Sequence, residues 1–313
     1  MVMMMSKNYI HETDNDDKTN FNVQDNNNND RRTYYIAIIT ETDACDNRQR
    51  MEETYTAITQ AVSTGHVNLV SIRLEKLNKK INQQTGRRQD QTDEQEMLAI
   101  ELTKKLVDLS SETSSLSSTS SNGGEEEQQQ SPSFYVVCSS DWINVATQGG
   151  AHGVHVKEKH LSMIPTIRRR RVRELYTTTK PMIIGTSTHS IQSAIESYRM
   201  YQPDYYFVGT CYFTQSHPEK TSLEELEGPK LPGQVKHAIQ NSILEQNQKQ
   251  QEVKPPLPPS PIIYAIGGIN DSNCNEPVQK YGADGVAVIR YVVAATDPAV
   301  AVTKLHTNMK CMK

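Results

Sequence analysis

Apolar residues in this chain gather in short runs of strand length, and the stretches between them carry apolar positions at helical spacing. Eight runs stand out: Tyr34–Thr40, Asn68–Arg73, Phe134–Cys138, Gly153–Val156, Met182–Gly185, Tyr205–Val208, Ile262–Ile266 and Gly285–Ile289. The intervening spacing predicts helices over about 47–64, 93–109, 141–148, 160–175, 189–200, 231–244, 271–281 and 296–306. The strand runs are too continuously apolar for a half-exposed antiparallel sheet and match strands covered on both faces. Eight βα units in series predict an α/β fold, a TIM (β/α)8 barrel with low-complexity insertions. An open doubly wound sheet is the competing architecture.

Three segments break the pattern. Residues 1–32 form an Asn-rich tail, residues at about 110–132 are Ser-rich and then Glu/Gln-rich, and residues at about 245–260 read EQNQKQQEVKPPLPPS. Such compositions bury too little apolar surface to offset ordering entropy, so they are expected to be disordered, flanking or interrupting one barrel domain over 33–308. The PPLPPS stretch reads as a stiff linker more readily than as a polyproline ligand. These segments also account for a hydrophobic content of only 35%. No stretch approaches the roughly 18 apolar residues of a membrane helix, and no membrane partner is expected. Thirty-three basic against thirty-seven acidic residues give a net charge of −4, which offers nucleic acid no global attraction. The five cysteines lie far apart with no CxxC pair, which fits neither a disulfide framework nor a zinc site and implies a reducing compartment. The first residues lack an apolar signal core and include Glu12, Asp14, Asp16 and Asp17, so a cytoplasmic location is expected. A homo-oligomer is left open.

In a barrel of this class the chemistry sits at the carboxyl ends of the strands. Strand seven ends Ile266-Gly267-Gly268-Ile269-Asn270, and strand eight, approached by Gly282-Ala283-Asp284-Gly285, ends Val288-Ile289-Arg290. Glycines let backbone N–H groups approach an anion and helix starts add partial positive charge, so the pair reads as a phosphate cradle, against two ordinary turns. Strand five ends Gly185-Thr186-Ser187-Thr188-His189-Ser190, and strand six leads into Thr214-Gln215-Ser216-His217. A neutral imidazole beside hydroxyls and a phosphate is suited to proton transfer near pH 7. The plainer reading of His189 is a solvated helix-start residue, with Ser187 or Thr188 as the cap.

The segments GGAHGVHV, GTSTHSIQSA, DYYFVGTCYFTQSHPEK and IIYAIGGINDSNCNEPVQKYGADGVAVI resemble the thiamine phosphate synthase/TenI family in order and spacing, with weaker similarity back to TYYIAIIT. The resemblance implies a TIM barrel that binds a thiazole phosphate, with Gly267, Gly268, Ile289 and Arg290 at the phosphate; the last stands where the family usually has a small residue. The synthase branch joins a pyrimidine pyrophosphate to the thiazole phosphate using Mg²⁺ and basic residues. Here that equipment is depleted. After strand two, Arg73 is kept but Glu75 replaces a base, with Lys76 one position late; after strand three, Asp141 is the one retained metal ligand. His160 stands in place of the second acid and His217 in place of a lysine. Such losses favour the TenI-like branch, whose characterised activity is thiazole tautomerisation without metal. On this resemblance His189 is the general acid/base with Ser187 beside it, and Arg73, Asp141, Thr214, Ser216 and His217 contact a phosphorylated thiazole or pyrimidine. No cofactor is assigned under the tautomerase reading. A diverged synthase, using Mg²⁺ at Asp141, and a non-catalytic phosphate-ligand binding module are the alternatives.

His155, between Val154 and Val156, faces either the barrel mouth or the core. Cys138 and Cys211 read as packing residues, and Trp142 as helix packing or a cover for a flat heterocycle. The run Arg168 to Arg171 reads as a solvated helix face rather than a nuclear address or anion patch.

Overall fold

A computed structural model of the chain describes residues 33–74, 87–116, 132–174, 182–249 and 260–311. Eight parallel strands close into a barrel in chain order: β1 Tyr35–Ile39, β2 Val67–Ile72, β3 Tyr135–Ser139, β4 Gly153–Val156, β5 Ile183–Thr188, β6 Tyr205–Val208, β7 Ile262–Ile266 and β8 Gly285–Val288. The seam is sealed by β8 on β1, with Ile36 opposite Val286 and Ile38 opposite Val288. The open-sheet alternative is thereby excluded.

Side chains obey the period of two. Ala37, Ile39, Leu69, Val137, Tyr205, Phe207, Tyr264 and Ala287 fill the barrel interior. Their neighbours Ile36, Ile38, Val70, Val136, Val154 and Ile184 join the core that helices cover from outside. Tyr206, Val208 and Ile263 do the same beneath the helices that follow strands five and six. Because both faces of every strand are covered, the runs are apolar throughout.

The helices are α1 Arg48–Val62, α2 Arg87–Leu116, α3 Ile143–Gln148, α4 Ile164–Glu174, α5 Ile191–Tyr201, α6 Leu231–Lys249, α7 Arg290–Val293 and α8 Pro298–Lys310. Asn47 caps α1 through Arg50 N, and Asp297 caps α8 through Val300 N, with Pro298 at its first position. Three expectations need correction. The helix expected over 271–281 shrinks to a π-helical turn, Glu276–Lys280. Asn270 Oδ1 accepts from Ser272 N and Asn273 Oδ1 from Asn270 N, so side chains replace helical carbonyls as acceptors. Residues 110–116 and 245–249, assigned to disordered insertions, instead extend α2 and α6. The rest of those two segments lies largely outside the described residues, as does the whole of 1–32. Finally, the cap of α5 is Ser190, whose hydroxyl accepts from Ser193 N at 3.1 Å, and not Ser187 or Thr188. Among the described residues no helix is long and apolar enough to cross a membrane.

Candidate active site

The carboxyl ends of the strands surround a cavity of about 860 Å³. Its walls include Arg73 after β2, Ser187 and His189 at the end of β5, and Thr214, Ser216 and His217 after β6. Gly267, Gly268, Ile289 and Arg290 close another side. The last four converge because β7 and β8 are paired neighbours, with Ile266 opposite Ala287.

The glycine pair is dictated by what crosses it. Cys211 N donates to Ile266 O at 2.9 Å and Tyr212 N to Gly267 O at 3.0 Å, which draws the β6 loop over the β7 loop. Gly267 and Gly268 have φ of +97° and +65°, and a Cβ on Gly268 would stand 2.4 Å from Phe213 O. Positive φ and close approach both demand glycine. At β8, Ile289 is the N-cap of α7. The first N–H groups of that turn have no preceding helical carbonyls to bond. Arg290 adds a guanidinium whose Nε lies 2.9 Å from Glu41 Oε1, while Arg50 holds the other Glu41 oxygen at 3.2 Å.

At the end of β5, His189 is about half exposed and its Nδ1 lies 3.4 Å from Glu227 Oε1. Glu227 is fixed from behind: Lys220 Nζ reaches both its oxygens at 2.7 Å and Thr210 N donates to Oε2 at 2.5 Å. Burial acts to raise the Glu227 pKa, but the Lys220 ammonium and the Thr210 N–H outweigh it and hold the carboxyl below its usual range. This fixed carboxylate lies beside Nδ1 of His189 rather than Nε2. Ser187 is not bonded to His189. Its Oγ instead lies 2.9 Å from Nε2 of His155, whose Nδ1 lies 3.1 Å from Tyr205 Oη. His155 therefore faces the barrel mouth. Burial, reinforced by the charges of Arg73 and Lys157, pushes its pKa down to about 3 and keeps it neutral.

The β6 loop turns tightly, with His217 N donating to Thr214 O at 3.1 Å and Ser216 N to Thr214 Oγ1 at 3.3 Å. His217 Nδ1 pairs with Glu219 at 2.9 Å. Asp141 is set apart from the others: it lies behind the wall, 3.0 Å from Lys157 Nζ and 3.3 Å from His160 Nδ1, with its side chain 5% exposed. An ammonium thus already balances the only acid that the resemblance left for Mg²⁺, an ion that prefers several oxygen ligands. Among the described residues no group of three or more His, Cys, Asp or Glu could hold a metal. The residues around Asp141 do not fit a Mg²⁺ site. Trp142 is buried in the outer core and is not part of the cavity wall. Arg168 spends its guanidinium on Gln202 O at 3.0 Å and remains exposed. Cys138 and Cys211 are buried, and burial pushes both thiols up to about 12, so neither is poised as a nucleophile.

The sequence reading missed Glu227, Lys220 and the partners of His155. Glu227 lies 38 residues beyond His189 and Tyr205 lies 50 beyond His155, so no local spacing signals either contact.

Comparison with known proteins agrees with this geometry. A family model described as thiamine monophosphate synthase (TMP-TENI) matches residues 137–292. The chain is 32% identical over 158 residues to a thiamine-phosphate synthase of Clostridium acetobutylicum, covering 50% of this chain and 58% of that one. It is 30% identical over 167 residues to the thiamine-phosphate synthase of Chloroflexus aurantiacus, covering 53% and 62%. The matched stretch thus spans about three fifths of the length of these curated relatives. In fold, the chain is similar to thiamine phosphate pyrophosphorylase from Pyrococcus furiosus, with a TM-score of 0.55, 18% identity, and coverage of 89% of this chain and 96% of that one. Matched strands, matched loops and a shared barrel lead to one conclusion: the chain belongs to the thiamine phosphate synthase/TenI family.

Proposed function

We propose that this barrel moves a proton on a phosphorylated thiazole, as a TenI-like tautomerase, with His189 as general acid/base. The observation that carries the reading is the His189–Glu227 pair at 3.4 Å on the cavity wall. A carboxylate beside Nδ1 stabilises the imidazolium formed when Nε2 takes a proton, which makes the ring competent both to remove a proton from one ligand atom and to return it to another. The β7 and β8 loops supply the phosphate anchor, whose contribution is one of positioning. Ser187, Thr214 and Ser216 supply hydroxyls that orient the ligand. This chemistry needs neither a leaving group nor a metal, which accords with an Asp141 already neutralised by Lys157.

A diverged thiamine phosphate synthase is the second reading. It is favoured by the chain's likeness to thiamine-phosphate synthases and by the bases Arg73, Lys157 and Lys159 on the cavity wall. Incubation with a carboxythiazole phosphate alone, and with thiazole phosphate plus pyrimidine pyrophosphate with and without Mg²⁺, separates the two. Isomerisation of the first supports the tautomerase; thiamine phosphate from the second replaces it with the synthase. Ligand binding without turnover in either assay assigns a non-catalytic binding module.

A further inference from the structure

We propose that the chain of contacts Tyr205–His155–Ser187 fixes His155 as its Nε2–H tautomer and makes Ser187 a hydrogen-bond donor to the ligand. The end of β5 then selects a ligand that presents an acceptor, such as a carboxylate oxygen or bare ring nitrogen, over one that presents an amino group. The tautomer stands on the protein alone, whereas the choice of ligand rests on the phosphorylated-thiazole reading.

The argument starts from Tyr205. Its side chain is buried, and the site of the missing Gly185 Cβ is 1.8 Å from Tyr205 Cζ, so the glycine makes room for this ring and the ring stays in place. Among the described residues the atom bonded to Tyr205 Oη is His155 Nδ1, at 3.1 Å. A buried hydroxyl that kept its hydrogen unbonded would lose about 1–3 kcal/mol, so the hydroxyl donates and Nδ1 accepts. A neutral imidazole carries one N–H, which must then be on Nε2. That nitrogen lies 2.9 Å from Ser187 Oγ, so Oγ accepts. Stacking on Phe207, with centroids 4.7 Å apart and planes inclined by 26°, helps hold the imidazole against a flip that would put ring carbons Cδ2 and Cε1 where Nδ1 and Nε2 now meet Tyr205 and Ser187. With its lone pair engaged by His155, Ser187 has a hydrogen left to give, and it lines the cavity. The opposite tautomer would leave the Tyr205 hydrogen without an acceptor and turn the Ser187 hydrogen back onto His155.

Two measurements test this on the full chain. In a long-range ¹H–¹⁵N spectrum of histidine-labelled protein, the resonances lost in His155→Asn should belong to a ring with bare Nδ1 and protonated Nε2, unchanged from about pH 5 to 8. A protonated Nδ1 overturns the proposal. In calorimetry, Ser187→Ala should weaken binding of a 2-carboxythiazole phosphate by roughly 3- to 10-fold, the worth of one hydrogen bond, and that of a 2-aminothiazole phosphate by less than about twofold. Tyr205→Phe should shrink the preference for the carboxylate in the same assay. Equal losses for both probes overturn the donor role. If neither probe binds, the thiazole reading and the ligand choice fail together, while the spectrum still decides the tautomer.

Discussion

His155 and His189 sit on adjacent strands of one cavity wall and are prepared for opposite tasks. His189 is half exposed with a carboxylate behind it, an arrangement that favours proton exchange. His189→Asn should therefore lower turnover on a carboxythiazole phosphate by roughly 10²–10⁴ and leave phosphate-ligand affinity within about twofold, checked by steady-state kinetics and calorimetry. Loss of binding with turnover preserved would make it an anchor instead. His155, by contrast, is held neutral by burial, which pushes its pKa down to about 3 from the ordinary histidine value of about 6.5. Below about 6.5 the unfolded chain takes up a proton that the folded chain refuses until about 3, so this residue lowers stability progressively as pH falls through that window. Glu227, held below the usual carboxylate range, adds loss in the same direction at lower pH. The slope of Tm between pH 6.5 and 4 should be shallower in His155→Asn than in the unaltered protein, and an unchanged slope would mean that the histidine is not buried in its neutral form.

At the scale of elements, the loop after β7 is a packing element before it is a binding one. Gly268→Ala places a methyl group against Phe213 O at a backbone φ of +65°. It should destabilise the fold by about 1–3 kcal/mol in urea unfolding. A carboxylate introduced there would report the same clash before it reported repulsion of an anion. The strands and the glycine turn after β7 were legible in the sequence because each is written in consecutive residues: a run such as Ile262–Ile266 followed by two glycines carries its own meaning. The turn Glu276–Lys280 was misread because the polar side chains of Asn270 and Asn273 compete for the backbone that a helix would use. Glu227 and Tyr205 were not legible at all, since their partners lie far away in the chain and only the side-by-side packing of β4, β5 and β6 brings them within reach. Asp141 shows the converse: its place in the family motif is plain, but the Lys157 ammonium that occupies it comes from the end of the next strand.

For the whole molecule, closure is what links the two ends of the chain at the site. Glu41, just after β1, receives Arg290 from the far side of the seam and Arg50 from α1. Glu41→Gln should release Arg290 toward a bound phosphate and tighten phosphate binding by about two- to tenfold at low salt, with the gain shrinking as salt rises. Calorimetry at two ionic strengths checks this; weaker binding would show that Glu41 positions the guanidinium productively. Isomerase turnover should also survive EDTA, because the charge balance at Asp141 comes from within the chain. Abolition by EDTA with rescue by Mg²⁺ would shift the assignment to the synthase.

Trp142 is the sole tryptophan of the sequence, and the fold buries it next in the chain to Asp141. Its indole Nε1 is buried and has no hydrogen-bond partner among the described residues. Ultraviolet emission excited at the red edge of the spectrum therefore arises from one address, the turn where Asp141 meets Lys157 and His160. The unlabelled protein carries its own optical reporter for that corner. A Lys157→Met substitution, which removes the ammonium from Asp141, should change the colour or yield of that emission, whereas filling the phosphate cradle on the β7 and β8 side should leave it nearly still.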